Sequence, residues 1–222
     1  MTAAPPAGAP RAEQVRATRH RVLTAARDLF LRRGYAGTTI EAVAHRAKVS
    51  PQTVYNVVGG KAALLKTVYD VLLAGDDEPV PMIERPAFRA MLAATDGRDC
   101  LTRYAAIGGG MYRRVGPLVP VVYAGGPDPA LRAFADTVEG ERARGTAAMA
   151  AHVAGRFGLR PGLSVAEAAD VLWALTAPEL ADRFVRRRGW SLQRYEEWLA
   201  TTMADALLPP AAPVSGSRAT AG

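Results

Sequence analysis

Between Gly34 and Lys61 the chain holds three helix stops and three helix starts, packed so closely that only short helices fit between them. Gly34 closes a long amphipathic run as a C-cap. Thr38 and Thr39 offer side-chain oxygens to cap the next start. Lys48–Val49 break that second run, and Ser50 with Pro51 restart it, the serine as N-cap and the proline at the first helical position, where its missing N–H is no loss. Gly59–Gly60 stop the chain again, and Lys61 opens a further helix. This punctuation confines TIEAVAHRAKVSPQTVYNVV (39–58) to two short helices joined by a tight turn. Their inward faces are set by spacing: Ile40, Val43, Ala44 and Ala47 recur at i, i+3, i+4 and i+7, and Val54 and Val58 lie four apart.

The rest of the sequence keeps the helical period, and nowhere do apolar and polar residues alternate as in a strand. A first helix from Val15 to Arg33 carries Val22, Ala26, Leu29 and Phe30 on one face; another runs from Lys61 through Leu64, Leu65, Val68 and Leu72 to Gly75. The acidic, proline-bearing GDDEPVPMIERP (75–86) is a connector. Longer helices are expected over 96–115, 128–157, from Ser164 through Leu175 with a kink at Pro178, and from Ser191 to Leu208. The fold class is all-α.

Composition narrows the function. At 49% apolar residues the chain can bury a sizeable core. The single cysteine, Cys100, excludes a disulfide framework within one chain, no run approaches the ~18 apolar residues of a membrane span, and the N-terminus lacks the pattern of a signal peptide. A cytoplasmic protein with no membrane partner is the expectation. His20, His45 and His152 lack metal-ligand spacing, and no phosphate loop, dinucleotide fingerprint or nucleophile elbow is present, so no catalytic residue, metal or cofactor is expected. The formal charge of +7 is concentrated: residues 11–66 carry eleven Lys/Arg against three Asp/Glu, whereas the remainder is close to neutral. Such a basic third suits nucleic acid, an anionic surface or an acidic protein about equally.

The two short helices decide among these. Their layout is that of a helix-turn-helix, with small Ala44 where they cross and Lys48 in the turn position that favours a left-handed residue. The outward residues Gln52, Thr53, Tyr55 and Asn56 are neutral donors and acceptors of the kind that reach base edges or phosphates in a major groove. GYAGTTIEAVAHRAKVSPQTVYNVVGGKAALL resembles the N-terminal domain of the tetracycline-repressor (TetR) family of transcriptional regulators, in its Gly-Tyr-x-x-Thr-Thr entry, Ala-x-x-Ala second helix, Val-Ser turn, Thr-Val-Tyr third helix and Gly-x-Lys-x-x-Leu-Leu fourth. Val57-Val58 depart from the bulky pair usual before the glycine. The resemblance implies DNA contacts by Thr39, Lys48, Ser50, Pro51, Gln52, Thr53, Tyr55, Asn56 and Lys61, with Tyr55 and Lys61 meeting phosphates. A packing role for Tyr55 and a solvated one for Lys61 are the structural alternatives.

The proline- and small-residue-rich ends read as disordered tails at 1–13 and 209–222, and the resemblance divides the chain between them into the DNA-binding domain at 14–60 and a helical effector-binding and dimerisation domain at 61–208. It further implies an inverted-repeat operator in double-stranded DNA, a homodimer, a small-molecule effector and action as a repressor. Stripe positions nominate Tyr104, Gly108, Met111, Tyr112, Phe134, Met149, His152 and Trp173 for a largely apolar effector pocket. Leu172, Leu175, Phe184, Leu192, Tyr195, Leu199 and Met203 are nominated for the dimer interface. The run Gly108–Gly110 signals either a close helix crossing or room for a ligand, since each glycine costs ~1 kcal/mol against alanine inside a helix. The competing reading is a helical protein-interaction or anionic-surface module that uses the basic third without reading sequence.

Overall fold

A computed structural model describes residues 9–123 and 128–210, which are helical with no strand among them. Helix α1 (Ala9–Arg33) starts earlier than Val15, so residues 9–13 are helix and not tail. The tail expectations for 1–8 and 211–222 fall outside the described residues. Gly34 (φ 65°) ends α1, its N–H donating to the Phe30 carbonyl at 3.0 Å. Helix α2 (Ile40–Ala47) is capped by Thr39, whose Oγ1 accepts the Ala42 N–H at 3.1 Å. Lys48 then takes the left-handed conformation (φ 56°, ψ 49°), the only non-glycine among the described residues with positive φ. A side chain there costs ~1–2 kcal/mol. Ser50 caps α3 (Pro51–Val58) by accepting the Thr53 N–H at 3.1 Å, and Gly59 ends it. Helix α4 (Lys61–Ala74) runs to Gly75.

These four helices close on Val22, Phe30, Val43, Val54, Leu64 and Leu65, all buried to within 0% exposure. Burying each such side chain stabilises by roughly 1.5–3 kcal/mol relative to leaving it exposed. The same core takes in Val115, Leu118, Val122, Leu131, Phe134 and Val138 from further along the chain. A boundary at 60–61 therefore cuts through a continuous core, because α4 and these later residues complete it.

Beyond the connector lie α5 (Pro86–Leu92), α6 (Gly97–Val115), α7 (Val119–Val122), α8 (Pro129–Phe157), α9 (Val165–Leu175), α10 (Pro178–Asp182) and α11 (Leu192–Leu207). The expected kink at Pro178 is a full break: α9 ends at Leu175, and Ala177 before the proline is extended (ψ 128°), the conformation a following proline imposes. A π-helical turn, Arg183–Arg187, follows α10. The second core joins α6, α8, α9 and α11 through Leu101, Met149, Val153, Leu172, Leu199 and Met203. Helices α6 and α8 thus feed both cores, one from each end.

Candidate nucleic-acid interface

The outward face of α3 carries no charge and is ordered by its own hydrogen bonds. Gln52 Nε2 donates to Asn56 Oδ1 at 2.9 Å, and the hydroxyls of Ser50 and Thr53 share a hydrogen at 2.8 Å. Ser50, Pro51, Gln52, Tyr55 and Asn56 are exposed, Tyr55 by 49%, while Val54 on the opposite face is fully buried. Tyr55 is therefore not a core residue in this chain. Val57 is half-buried, and Val58 packs against the first core.

Charge is placed around this neutral face. Lys48 is exposed in the turn before α3, with no ion pair among the described residues. Lys61, at the first position of α4, lies 4.2 Å from the centroid of the Tyr35 ring and donates weakly to the Ala36 carbonyl at 3.5 Å. The ammonium is thus steered by an aromatic face and by backbone, without a carboxylate to neutralise it. Thr39 keeps its hydroxyl hydrogen for a partner, because its oxygen acts only as acceptor to the helix. Two other bases are neutralised: Arg46 pairs with Asp28 at 2.5 Å, which holds the Asp28 carboxyl below its ordinary range, and Arg19 pairs with Asp77.

Arg19 was not marked by any motif. Its Nε and Nη2 donate to Asp77 at 2.6 and 2.9 Å, and its Nη1 reaches the Val57 carbonyl at 3.4 Å, so the end of α3 is tied to the loop after α4. That loop is held in turn by Arg85, whose two-pronged bond lowers the Asp76 carboxyl to about 2. Arg114, in the last turn of α6, donates to the carbonyls of Leu72 and Leu73 at 2.8 and 2.7 Å. These orphan carbonyls at the end of α4 are the acceptors a helix end leaves open. A basic last turn on α6 was the sole hint in the sequence.

The eight residues nominated for an effector pocket do not come together. Phe134 belongs to the first core, edge-on to Tyr69 at 5.6 Å, and Trp173 is 42% exposed with Arg142 above its ring. Both assignments are corrected by this placement. Tyr104, Met111 and Tyr112 are half-buried on α6; Tyr104 and Tyr112 pack against the second core, which also buries Met149. Burial pushes the Tyr104 and Tyr112 phenols up to about 12, and Tyr112 donates to Asp182 at 3.4 Å. His152 stands edge-on to Phe157, its enclosed Nε2 without a partner among the described residues. A side chain at Gly108 would meet open space, whereas one at Gly109 would lie 2.0 Å from Glu196 Oε1 on α11. Gly109 is therefore a helix-crossing position. Clefts of about 480 and 500 Å³ open elsewhere, one between Arg19, Lys66 and Arg85, the other between Arg98, Arg160 and Pro209.

Of the interface nominations, Leu172, Tyr195, Leu199 and Met203 are at most 2% exposed inside the chain and have no surface to offer a second copy. Periodicity marked them as apolar, and the neighbours that cover them are α6 and α8 of the same chain. Leu175, Phe184 and Leu192 remain half-buried; Phe184 packs at 4.6 Å from both Trp190 and Trp198.

Comparison with known proteins adds resemblances to this geometry. Residues 22–68 match the model described as bacterial regulatory proteins, tetR family. YdeS, an HTH-type transcriptional regulator of Bacillus subtilis (strain 168), is 39% identical over 74 residues, which is 33% of this chain and 35% of YdeS. The chain thus aligns with about a third of that relative's length. Among solved structures, native NalD of Pseudomonas aeruginosa, the secondary repressor of the MexAB-OprM multidrug efflux pump, superposes with a TM-score of 0.64 at 19% identity, over 87% of this chain and 98% of NalD. The regulator FadR of Bacillus subtilis in complex with stearoyl-CoA gives 0.63 at 13% identity, over 83% and 96%. At such identities the likeness is one of fold.

Proposed function

We propose that this chain, whose residues 22–68 match the tetR family of bacterial regulatory proteins, is a DNA-binding transcriptional repressor that acts as a homodimer on an inverted-repeat operator and is released by a small, largely apolar effector. The observation that carries this is the outward face of α3, neutral and hydrogen-bonding, set between two unpaired lysines. Gln52 and Thr53 face the base edges, with Asn56 beside them holding Gln52. Tyr55, the Thr39 hydroxyl, Lys48 and Lys61 meet phosphates, where helix N-termini and ammonium groups are both favourable. Ser50 and Pro51 serve chiefly to hold the start of α3. An eight-residue helix makes few base contacts, so a second half-site and a second copy of the chain are the remedy.

Release follows from the junction behind the reader. An effector that binds one arrangement of α6 more tightly than another shifts the population toward it. Arg114 transmits that displacement to the end of α4. The α6 side chains Tyr104, Met111 and Tyr112, the space at Gly108, and Met149 and His152 on α8 are the groups offered to such a ligand. FadR, of the same fold, holds stearoyl-CoA, which supports an effector with a long apolar part.

The test is a gel shift with the full chain, on duplexes enriched from genomic fragments and on scrambled versions, at two salt concentrations. A preference for the enriched duplex that persists in higher salt is expected. Binding lost uniformly from both would mark phosphate attraction alone, as the anionic-surface reading requires. A monomeric mass by light scattering at micromolar concentration refutes the dimer.

A further inference from the structure

We propose that Gln52 reads an adenine in each half-site, with Asn56 as the positioning residue that aims it; this rests on the reading that α3 enters a major groove. The first ground is what α3 lacks. Its eight residues, PQTVYNVV, include no lysine, arginine, aspartate or glutamate. Guanine shows the major groove two acceptors, which call for a guanidinium or an ammonium, and the cytosine amino group calls for a carboxylate. The helix has no charged group for either. Adenine shows one acceptor, N7, beside one donor, the N6 amino group, and a carboxamide is its complement.

The second ground is how the amides are arranged. One Nε2 hydrogen of Gln52 is given to Asn56 Oδ1 at 2.9 Å, which leaves the second Nε2 hydrogen as a donor and Oε1 as an acceptor. Both side chains are exposed, so this edge faces outward from the helix. The i,i+4 bond fixes the glutamine before DNA arrives, and the rotamer entropy of a long flexible side chain is not lost on contact. The neighbouring hydroxyls are engaged otherwise: Ser50 Oγ accepts the Thr53 N–H and shares a hydrogen with Thr53 Oγ1. Of the two outward carboxamides, Gln52 is the one whose oxygen accepts no bond within the chain, whereas Asn56 Oδ1 already accepts from Gln52.

The experiment selects bound duplexes from a random-sequence library with the full wild-type chain, Gln52→Ala and Asn56→Ala. Both positions are exposed on a helix that alanine favours, and circular dichroism with light scattering verifies that fold and assembly are kept. The wild type is expected to enrich half-sites with an adenine whose replacement by guanine weakens binding about fivefold or more. Replacement by 7-deazaadenine, which lacks the N7 acceptor, is expected to weaken it also, and both penalties should disappear in Gln52→Ala. Asn56→Ala should keep adenine as the preferred base with a smaller penalty, an effect on base preference that a purely structural role would not produce. Guanine or cytosine at the position where Gln52→Ala relaxes the preference overturns the assignment, as does undiminished binding of the 7-deazaadenine duplex. A site whose preference is untouched by Gln52→Ala refutes the adenine reading and leaves DNA reading intact. A wild-type chain that enriches no sequence refutes both.

Discussion

Gly109→Ala tests whether the α6–α11 crossing is set by one side chain. A methyl built at Gly109 would stand 2.0 Å from Glu196 Oε1 and 2.6 Å from both its Cδ and its Cγ. Because Cγ is as close as Cδ, turning the carboxylate alone does not clear the methyl; the whole side chain has to leave its rotamer. Forcing extra volume into a packed contact costs about 1–3 kcal/mol, whereas alanine gains ~1 kcal/mol over glycine inside a helix. The two combine to a net loss between nothing and about 2 kcal/mol in the wild-type background. In Glu196→Ala the three nearest atoms are gone, and the same Gly109→Ala change should stabilise by about 1 kcal/mol, the propensity alone. The sign of the substitution therefore reverses with its partner, a coupling of about 1–3 kcal/mol in a double-mutant cycle. Urea unfolding of the four proteins, followed by circular dichroism, measures it, and thermal midpoints should move ~2–4 °C per kcal/mol for a chain of this size. An equal cost of Gly109→Ala in both backgrounds would refute the reasoning, since backbone approach and not Glu196 would then exclude the methyl.

Lys48→Gly relieves the left-handed side chain and should stabilise by up to ~1 kcal/mol after glycine's extra unfolded-state entropy is counted; the same variant should lower the slope of log binding constant against log salt by about one if Lys48 meets a phosphate. Arg114→Met leaves the Leu72 and Leu73 carbonyls without their donor and should cost about 1–3 kcal/mol in urea unfolding. An unchanged midpoint would show that water replaces the guanidinium freely. Asp76 is depressed to about 2 by its bond from Arg85, against an ordinary value of 3.8. Its contribution is thus fully present above pH ~4 and is lost as the pH falls through about 2. Thermal melts of the wild type and Asp76→Asn should differ at pH 5 and converge near pH 2, and a constant difference across that range would contradict the pairing.

The helix boundaries of the reader were legible because their causes are local. Thr39, Ser50 and Gly59 act within three or four residues of themselves, and Lys48 is left-handed because the turn between α2 and α3 demands it whatever residue stands there. The early start of α1 was not legible, since APRAEQVR has no apolar stripe, although alanine, arginine, glutamate and glutamine favour a helix. The nominations of Phe134 and Trp173 for the pocket, and of Leu172, Tyr195, Leu199 and Met203 for the interface, failed where a stripe was asked to name its neighbour. Period tells which face of a helix is covered, not what covers it: Phe134 and Met149 lie on one helix, α8, yet in different cores. Arg19 and Arg114 act across separations of 38 and 42 residues, beyond the reach of any local pattern.

The sharing of α6 and α8 between the two cores has a consequence for anyone who would transplant the first four helices. From Leu131 in one core to Val153 in the other, α8 is a strut roughly 30 Å long. A fragment cut at residue 60 would lose Leu64, Leu65, Val68 and Tyr69 together with the Val115–Val138 patch that roofs them. Its remaining apolar face would be wet. A chimera that moves α1–α4 onto another helical body therefore has its seam on the struts and not at the Gly59–Gly60 break after α3. The host must supply a matching roof, or the guest must bring its own.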